Sequence, residues 1–229
     1  MTVDEWLAQH AITSAEFRGI LLRGIGDVNP TLDARVRSAS VLDVTITGPR
    51  REDGAYDFKT TFSAVISDCD RGITWLFLQS FGDLAVPTRM LTGRLLCNVV
   101  ALAELLRMHS VAATPRPASS LGHLRAGFLP IQASWDTLRA LMAAHLRTAG
   151  TASGEAGAAS SIASVLASPE PRSIRDLMPN AGMSREPGIL WPQTCQVLLD
   201  AMPGWSGSMD LADADTTAMH RGFCRSNGG

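Results

Sequence analysis

Val41-Leu42-Asp43-Val44-Thr45-Ile46-Thr47 and, after a short polar gap, Tyr56-Asp57-Phe58-Lys59-Thr60-Thr61-Phe62-Ser63-Ala64-Val65-Ile66 decide the fold class of this chain. Leu42, Val44 and Ile46 alternate with Asp43, Thr45 and Thr47, the period of a strand with one buried face. In the second run Tyr56, Phe58, Thr60, Phe62, Ala64 and Ile66 share one side, while Asp57, Lys59, Thr61 and Ser63 share the other. The gap between them, Gly48-Pro49-Arg50-Arg51-Glu52-Asp53-Gly54, is built of turn formers. Asp68-Cys69-Asp70-Arg71-Gly72 then reads as a tight turn into Ile73-Thr74-Trp75-Leu76-Phe77-Leu78, a run apolar on both faces, as in a strand covered on both sides. Connections this short predict an antiparallel meander of three strands.

Upstream, Thr2 with Glu5 and Thr13 with Glu16 match the capping box, in which a hydroxyl and a glutamate satisfy each other's free backbone N–H groups. Two short helices are expected there, the second with Phe17, Ile20 and Leu21 on one face. Downstream, Pro87 suits a first helical turn, and Leu91, Leu95, Val99, Leu102 and Leu106 mark the buried side of a helix reaching about residue 109. Residues 111–120 read as a loop, Leu121 to Leu129 as a short strand ended by Pro130, and a helix from Ser134 shows Leu138, Leu141, Met142 and His145 on one face. Residues 149–170 are rich in Ala, Gly and Ser and read as a linker, with Ile162, Val165 and Leu166 able to support a short helix. The expectation is therefore an α+β core domain over 1–148, that linker, and a partly disordered extension over 171–229 with brief helical patches at 173–178 and 193–201.

Composition narrows the function classes. The 229 residues carry a net charge of −2, which gives no electrostatic case for nucleic acid or anionic lipid. Lys59 is the only lysine among 20 basic residues. The start has two acids and no basic segment before an apolar stretch, so a secretory signal is not expected. The longest apolar run, Leu95 to Met108, is broken by Glu104 and Arg107 and is too short to span a bilayer. Cys69, Cys97, Cys195 and Cys224 show no paired CxxC spacing. That argues for free thiols in a reducing, cytoplasmic setting and against a metal site; no cofactor is expected.

Two patterns touch on catalysis. Gly204-Trp205-Ser206-Gly207-Ser208 resembles a nucleophile elbow with serine in place of the last glycine, and Asp210 and His220 follow in hydrolase order. A Ser206–Asp210–His220 unit is the catalytic alternative; a Gly/Ser turn is the expected reading. Cys97 lies in the apolar helix and reads as a small buried hydrophobe, although the fold could bring it to His109 or His123 as a nucleophile pair. Carboxylates around Cys69 would weaken that thiol, so Asp68-Cys69-Asp70 is a turn. Arg50-Arg51 reads as a solvated hairpin tip.

The order helix, strands, helix, short strand, helix resembles that of the class I type III secretion chaperones. The likeness is carried by Leu76-Phe77-Leu78-Gln79-Ser80-Phe81-Gly82-Asp83-Leu84, by Leu95-Leu96-Cys97-Asn98, by Gly122-His123-Leu124-Arg125-Ala126-Gly127-Phe128-Leu129-Pro130, and by Trp135 to Ala149. It covers roughly residues 13–149. That family is acidic where this chain is near neutral, and it lacks the extension. The resemblance implies a homodimer that holds an extended stretch of a secreted partner without ATP. The expected function is thus a protein-binding module of bacterial secretion, with Phe17, Ile20, Leu21, Trp75, Phe77 and Leu95 as the contact residues. The alternatives are a small hydrolase or transferase using Ser206 or the Cys97–histidine pair, and a secreted effector.

Overall fold

The structure, a computed structural model, describes residues 1–67, 71–80, 88–115, 120–149, 156–178 and 202–227. Two helices open it, α1 (Val3–Gln9) and α2 (Ser14–Leu21), and both capping boxes are formed. Four strands follow, β1 (Thr31–Ser38), β2 (Val41–Thr47), β3 (Phe58–Ile66) and β4 (Arg71–Ser80), before the long helix α3 (Thr88–Leu105). Then come β5 (Ser110–Ala113), α4 (Ser120–Arg125), β6 (Leu129–Pro130), α5 (Gln132–Ala149) and α6 (Ala156–Ala167). A 3-10 turn over Pro171–Leu177, strand β7 (Gly207–Asp210) and helix α7 (Ala214–Ser226) complete the described chain. None of the helices is long and apolar enough to cross a membrane, among the described residues.

The α+β class stands, but the meander is only part of a seven-stranded sheet of order β1-β2-β3-β4-β5-β7-β6. The predicted strands are β2, β3 and β4, consecutive and antiparallel as expected. Leu42 lies opposite Ala64, Val44 opposite Phe62 and Ile46 opposite Thr60, so the apolar alternation of both strands falls on one face and is buried there. The polar alternation faces outward, where Arg37, Asp43 and Ser63 bond across three neighbouring strands. The β4–β5 pairing is parallel. A parallel neighbour requires a crossover, and α3 supplies it, burying Leu91, Leu95, Val99 and Leu102, with Leu106 just after its end, in the core together with Trp6, Leu7, Phe17 and Leu21 of α1 and α2. Asn98, also buried, donates its amide to the Leu21 and Arg23 carbonyls and so satisfies the otherwise open end of α2.

Several expectations are corrected downstream. The loop expected over 111–120 contains most of β5, and the strand expected over Leu121 to Leu129 is mainly α4 with a two-residue strand after it. On α5, Leu141 is half exposed, and the side of the helix that enters the core is led by the fully buried Trp135, with Leu138 and Met142. The Ala/Gly/Ser segment read as a linker holds α6: alanine carries the smallest helical penalty, and Ile162 and Leu166, four apart, bury one face. The extension is built into the fold where it is described. Ile174, Leu177, Met202, Trp205 and Met209 join the same core as the amino half, and β7 seats between β5 and β6. The expected patch at 193–201 and the turn at Asp68-Cys69-Asp70 lie outside the described residues.

Candidate functional site

Chemistry-bearing side chains converge where α3 meets α7. Cys97 projects from the middle of α3; His220 and Cys224 sit four residues apart on α7 and therefore on one face of it. Cys97 and Cys224 are joined as a disulfide with Cα atoms 5.8 Å apart, a normal span for the bond. Both thiols are therefore bound to each other, which corrects the expectation of free cysteines at these positions. The sulfurs of both cysteines and a ring nitrogen of His220 all lie within 4.8 Å of one another, and His220 is only 6% exposed.

The imidazole is hydrogen-bonded at one end and faces sulfur at the other. Its Nδ1 lies 3.2 Å from the carbonyl oxygen of Ala126 and its Nε2 lies 3.2 Å from Cys224 Sγ. A carbonyl can only accept, so the proton is on Nδ1 and Nε2 presents a bare lone pair to the sulfurs. Burial pushes the His220 pKa below its ordinary value, opposed in part by the Ala126 hydrogen bond, so the ring is neutral near pH 7. Ala126 holds its place through the following turn, where Gly127 has φ +103° and a side chain would press on the Thr216 carbonyl oxygen.

The start of α7 is clamped as well. Asp213 caps the helix by accepting from the Thr216 backbone and hydroxyl, and Arg172 and Arg175 of the 3-10 turn bridge to its carboxylate. The Thr216 hydroxyl, together with that backbone bond and Arg172, holds the Asp213 pKa down to about 2. An unfolded aspartate titrates near ~3.9. Asp213 therefore contributes its stability in full above about pH 4, and that contribution is lost as pH falls from there towards 2. Asp213→Asn should flatten this acid arm by on the order of 1 kcal/mol, the carboxylate being partly wetted. Urea midpoints compared at about pH 5 and about pH 2 check it; equal losses in the two proteins would refute it.

The catalytic alternative is not assembled. Ser206 and Asp210 flank opposite ends of β7, a span of roughly 13 Å along an extended strand. The Ser206 N–H donates to the Ser134 hydroxyl oxygen, the Asp210 carboxylate accepts from the Ala212 N–H, and His220 is turned away, its Nδ1 towards the Ala126 carbonyl and its Nε2 towards the Cys97–Cys224 bridge. The second glycine of the apparent elbow has another cause: Gly207 lets the Trp205 ring fold back over β7, and a Cβ there would collide with that ring and come within 2.8 Å of the Leu129 carbonyl oxygen. The Cys97–histidine pairing is corrected too. The histidine beside the Cys97 bridge is His220; His109 lends its backbone to Arg71 and Leu211, and His123 packs edge-on against Phe128.

Of the expected contact residues, Phe17, Leu21 and Leu95 are fully inside the core and Ile20 is half-buried. The first three fill the space between helices and sheet, so they present no surface to a partner in this form of the chain. Trp75 and Phe77 take their places in β4 opposite Phe62 and Thr61; their side chains lie outside the described residues. Arg50 and Arg51 are exposed at the hairpin tip, with Arg50 over the Tyr56 ring and Arg51 against Asp53. Sequence reasoning took Cys224 as a free thiol and missed its place beside His220 and Cys97. The available signal was His220 and Cys224 at a four-residue interval, masked by reading the segment as a tail.

The most open feature of the sheet is β1. It occupies one end of the strand order, and among the described residues no element pairs with its outer edge. Eight residues long, it alternates exposed Thr31, Asp33, Arg35 and Arg37 with half-buried Leu32, Ala34 and Val36. The opposite edge is blunted by the two-residue β6 and its Pro130. No protein-family model matches the chain, and no curated protein matches it in sequence.

Proposed function

We propose that this chain is a protein-binding module that takes an extended segment of a partner polypeptide as an additional strand along β1. The observation that carries the reading is the long edge strand without an outer neighbour among the described residues. Its backbone N–H and C=O groups supply affinity that is indifferent to sequence, and the half-buried Leu32, Ala34 and Val36 supply alternate apolar seats. This keeps the extended partner segment implied by the likeness to secretion chaperones and moves its seat from the apolar faces of helices and strands to a sheet edge. A cytoplasmic bacterial protein serving secretion fits that role, and a homodimer fits it if the segment captured is β1 of a second copy.

Selection from a random library of extended peptides tests the reading directly. Peptides with apolar residues at alternate positions are the expected binders, and bound peptide should slow hydrogen exchange in residues 31–38. Ala34→Pro, which removes an N–H and fixes φ, should abolish binding while circular dichroism stays unchanged. Recovery of no such peptides, or protection confined to other elements, would remove the proposal.

A further inference from the structure

We propose that Cys97, Cys224 and His220 form a binding site for a zinc-like cation whenever the disulfide is reduced, with three protein ligands and a fourth position open. The donor set is two sulfurs and one imidazole nitrogen, the chemistry that suits Zn2+. A tetrahedral zinc ion needs about 3.8 Å between two sulfurs and about 3.5 Å between sulfur and nitrogen, from Zn–S near 2.3 Å and Zn–N near 2.0 Å. The three atoms already lie within 4.8 Å of one another, and Nε2 to Cys224 Sγ is 3.2 Å. The sulfurs must part and Cys97 Sγ must take its place at ligand distance from Nε2, and the ligands stand on two helices packed against each other, not on loops.

The second observation comes from His220 itself. With Nδ1–H held by the Ala126 carbonyl, Nε2 directs its lone pair at sulfurs that carry no proton while they are bonded to each other. A buried acceptor aimed at a group that cannot donate is unsatisfied in the disulfide form. Reduction repairs this in one of two ways: a Cys224 thiol donates to Nε2, or a cation accepts its lone pair. The Nδ1–H to carbonyl bond is the orienting contact that metal-bound histidines use. A backbone carbonyl on an ordered turn, with Gly127 in the left-handed region beside it, holds the ring for that purpose.

The balance is closed by a dithiol reductant. Its two thiols pass two electrons and two protons to the Cys97–Cys224 bond, giving a reductant disulfide and two protein thiols. Zn2+ then binds both sulfurs and His220 Nε2, releasing the two thiol protons. Oxidation reverses the sequence and expels the ion, so the site makes cation binding conditional on redox state.

Cobalt, which gives strong visible absorption when tetrahedral and sulfur-bound, is the probe. The protein carries Cys69→Ser and Cys195→Ser so that no other thiols remain. Reduced protein should bind one Co2+ per chain, displaced by Zn2+, and the oxidised protein should bind none. His220→Gln, which removes a ligand, should weaken Zn2+ by more than the roughly 10- to 100-fold that loss of an outer-shell partner costs, in competition with a chromophoric chelator, and Cys97→Ser should weaken the sulfur charge-transfer band, one thiolate remaining. Each variant is checked for folding by circular dichroism, and the oxidised parent is itself a folded control. Absent cobalt colour in the reduced parent, or equal Zn2+ affinity in the oxidised and reduced forms, would overturn the proposal.

Discussion

Replacing both Cys97 and Cys224 with alanine is expected to lower the unfolding free energy by about 5 kcal/mol in metal-free buffer. The bridge closes a loop of 127 residues, and loop-closure entropy for that length gives about 5 kcal/mol of denatured-state constraint. The side-chain term is smaller: two sulfurs leave a pocket smaller than a methyl pair, worth about 1 kcal/mol. Chain entropy therefore dominates the effect. For a chain of this size the midpoint of thermal unfolding should fall by roughly 10–20 °C. Wild-type protein reduced in the presence of a chelator should lose nearly as much, because reduction cuts the same loop without changing the packing. Adding Zn2+ to the reduced wild type, but not to the double alanine variant, should restore part of the loss if the cation site forms. A loss below about 1 kcal/mol in both measurements would show that the contacts of α7, not the bond, hold it to α3.

What the sequence disclosed follows the range of the interactions involved. The capping boxes at Thr2 and Thr13 and the alternation of β2 and β3 are local patterns, and they were legible because a few neighbouring residues determine them. The buried stripe of α3 was legible for the same reason. β1 escaped notice although Leu32, Ala34 and Val36 alternate with Thr31, Asp33 and Arg35, since an edge strand buries its apolar side only partly and the signal is weak. β5, β6 and β7 are four, two and four residues long; strands that short exist through their neighbours, and no window of sequence contains the evidence. The same holds for the candidate site. His220 and Cys224 form a visible interval, but their meeting with Cys97 depends on α7 returning to α3 across 127 residues. Composition misled most in the second half, where small residues suggested looseness and instead allow close approach, as Gly207 does beneath Trp205.

Trp135→Ala is expected to cost about 3–5 kcal/mol, close to the upper end for a single core truncation. The indole is fully buried on α5, and its Nε1 donates to the Ser168 carbonyl oxygen at 3.1 Å, just beyond the end of α6. Two effects are lost together, packing and that hydrogen bond, and Trp135→Phe separates them. Phenylalanine retains most of the apolar volume but cannot donate, so it should lose only about 1–2 kcal/mol, for one hydrogen bond and a small void. The difference assigns the larger share to packing. Because Trp135 ties α5 to the segment that follows α6, beside the Gln132 amide that donates to the Pro169 carbonyl, hydrogen exchange over 156–167 should quicken more in the alanine variant than exchange in β2 or β3. Ile162 and Leu166 would then lose part of the core in which they are buried. Urea unfolding of the two variants measures the outcome. If phenylalanine costs as much as alanine, the hydrogen bond to Ser168 governs the docking of α6 and the packing argument fails; if both cost less than about 1 kcal/mol, α6 is held by contacts other than Trp135.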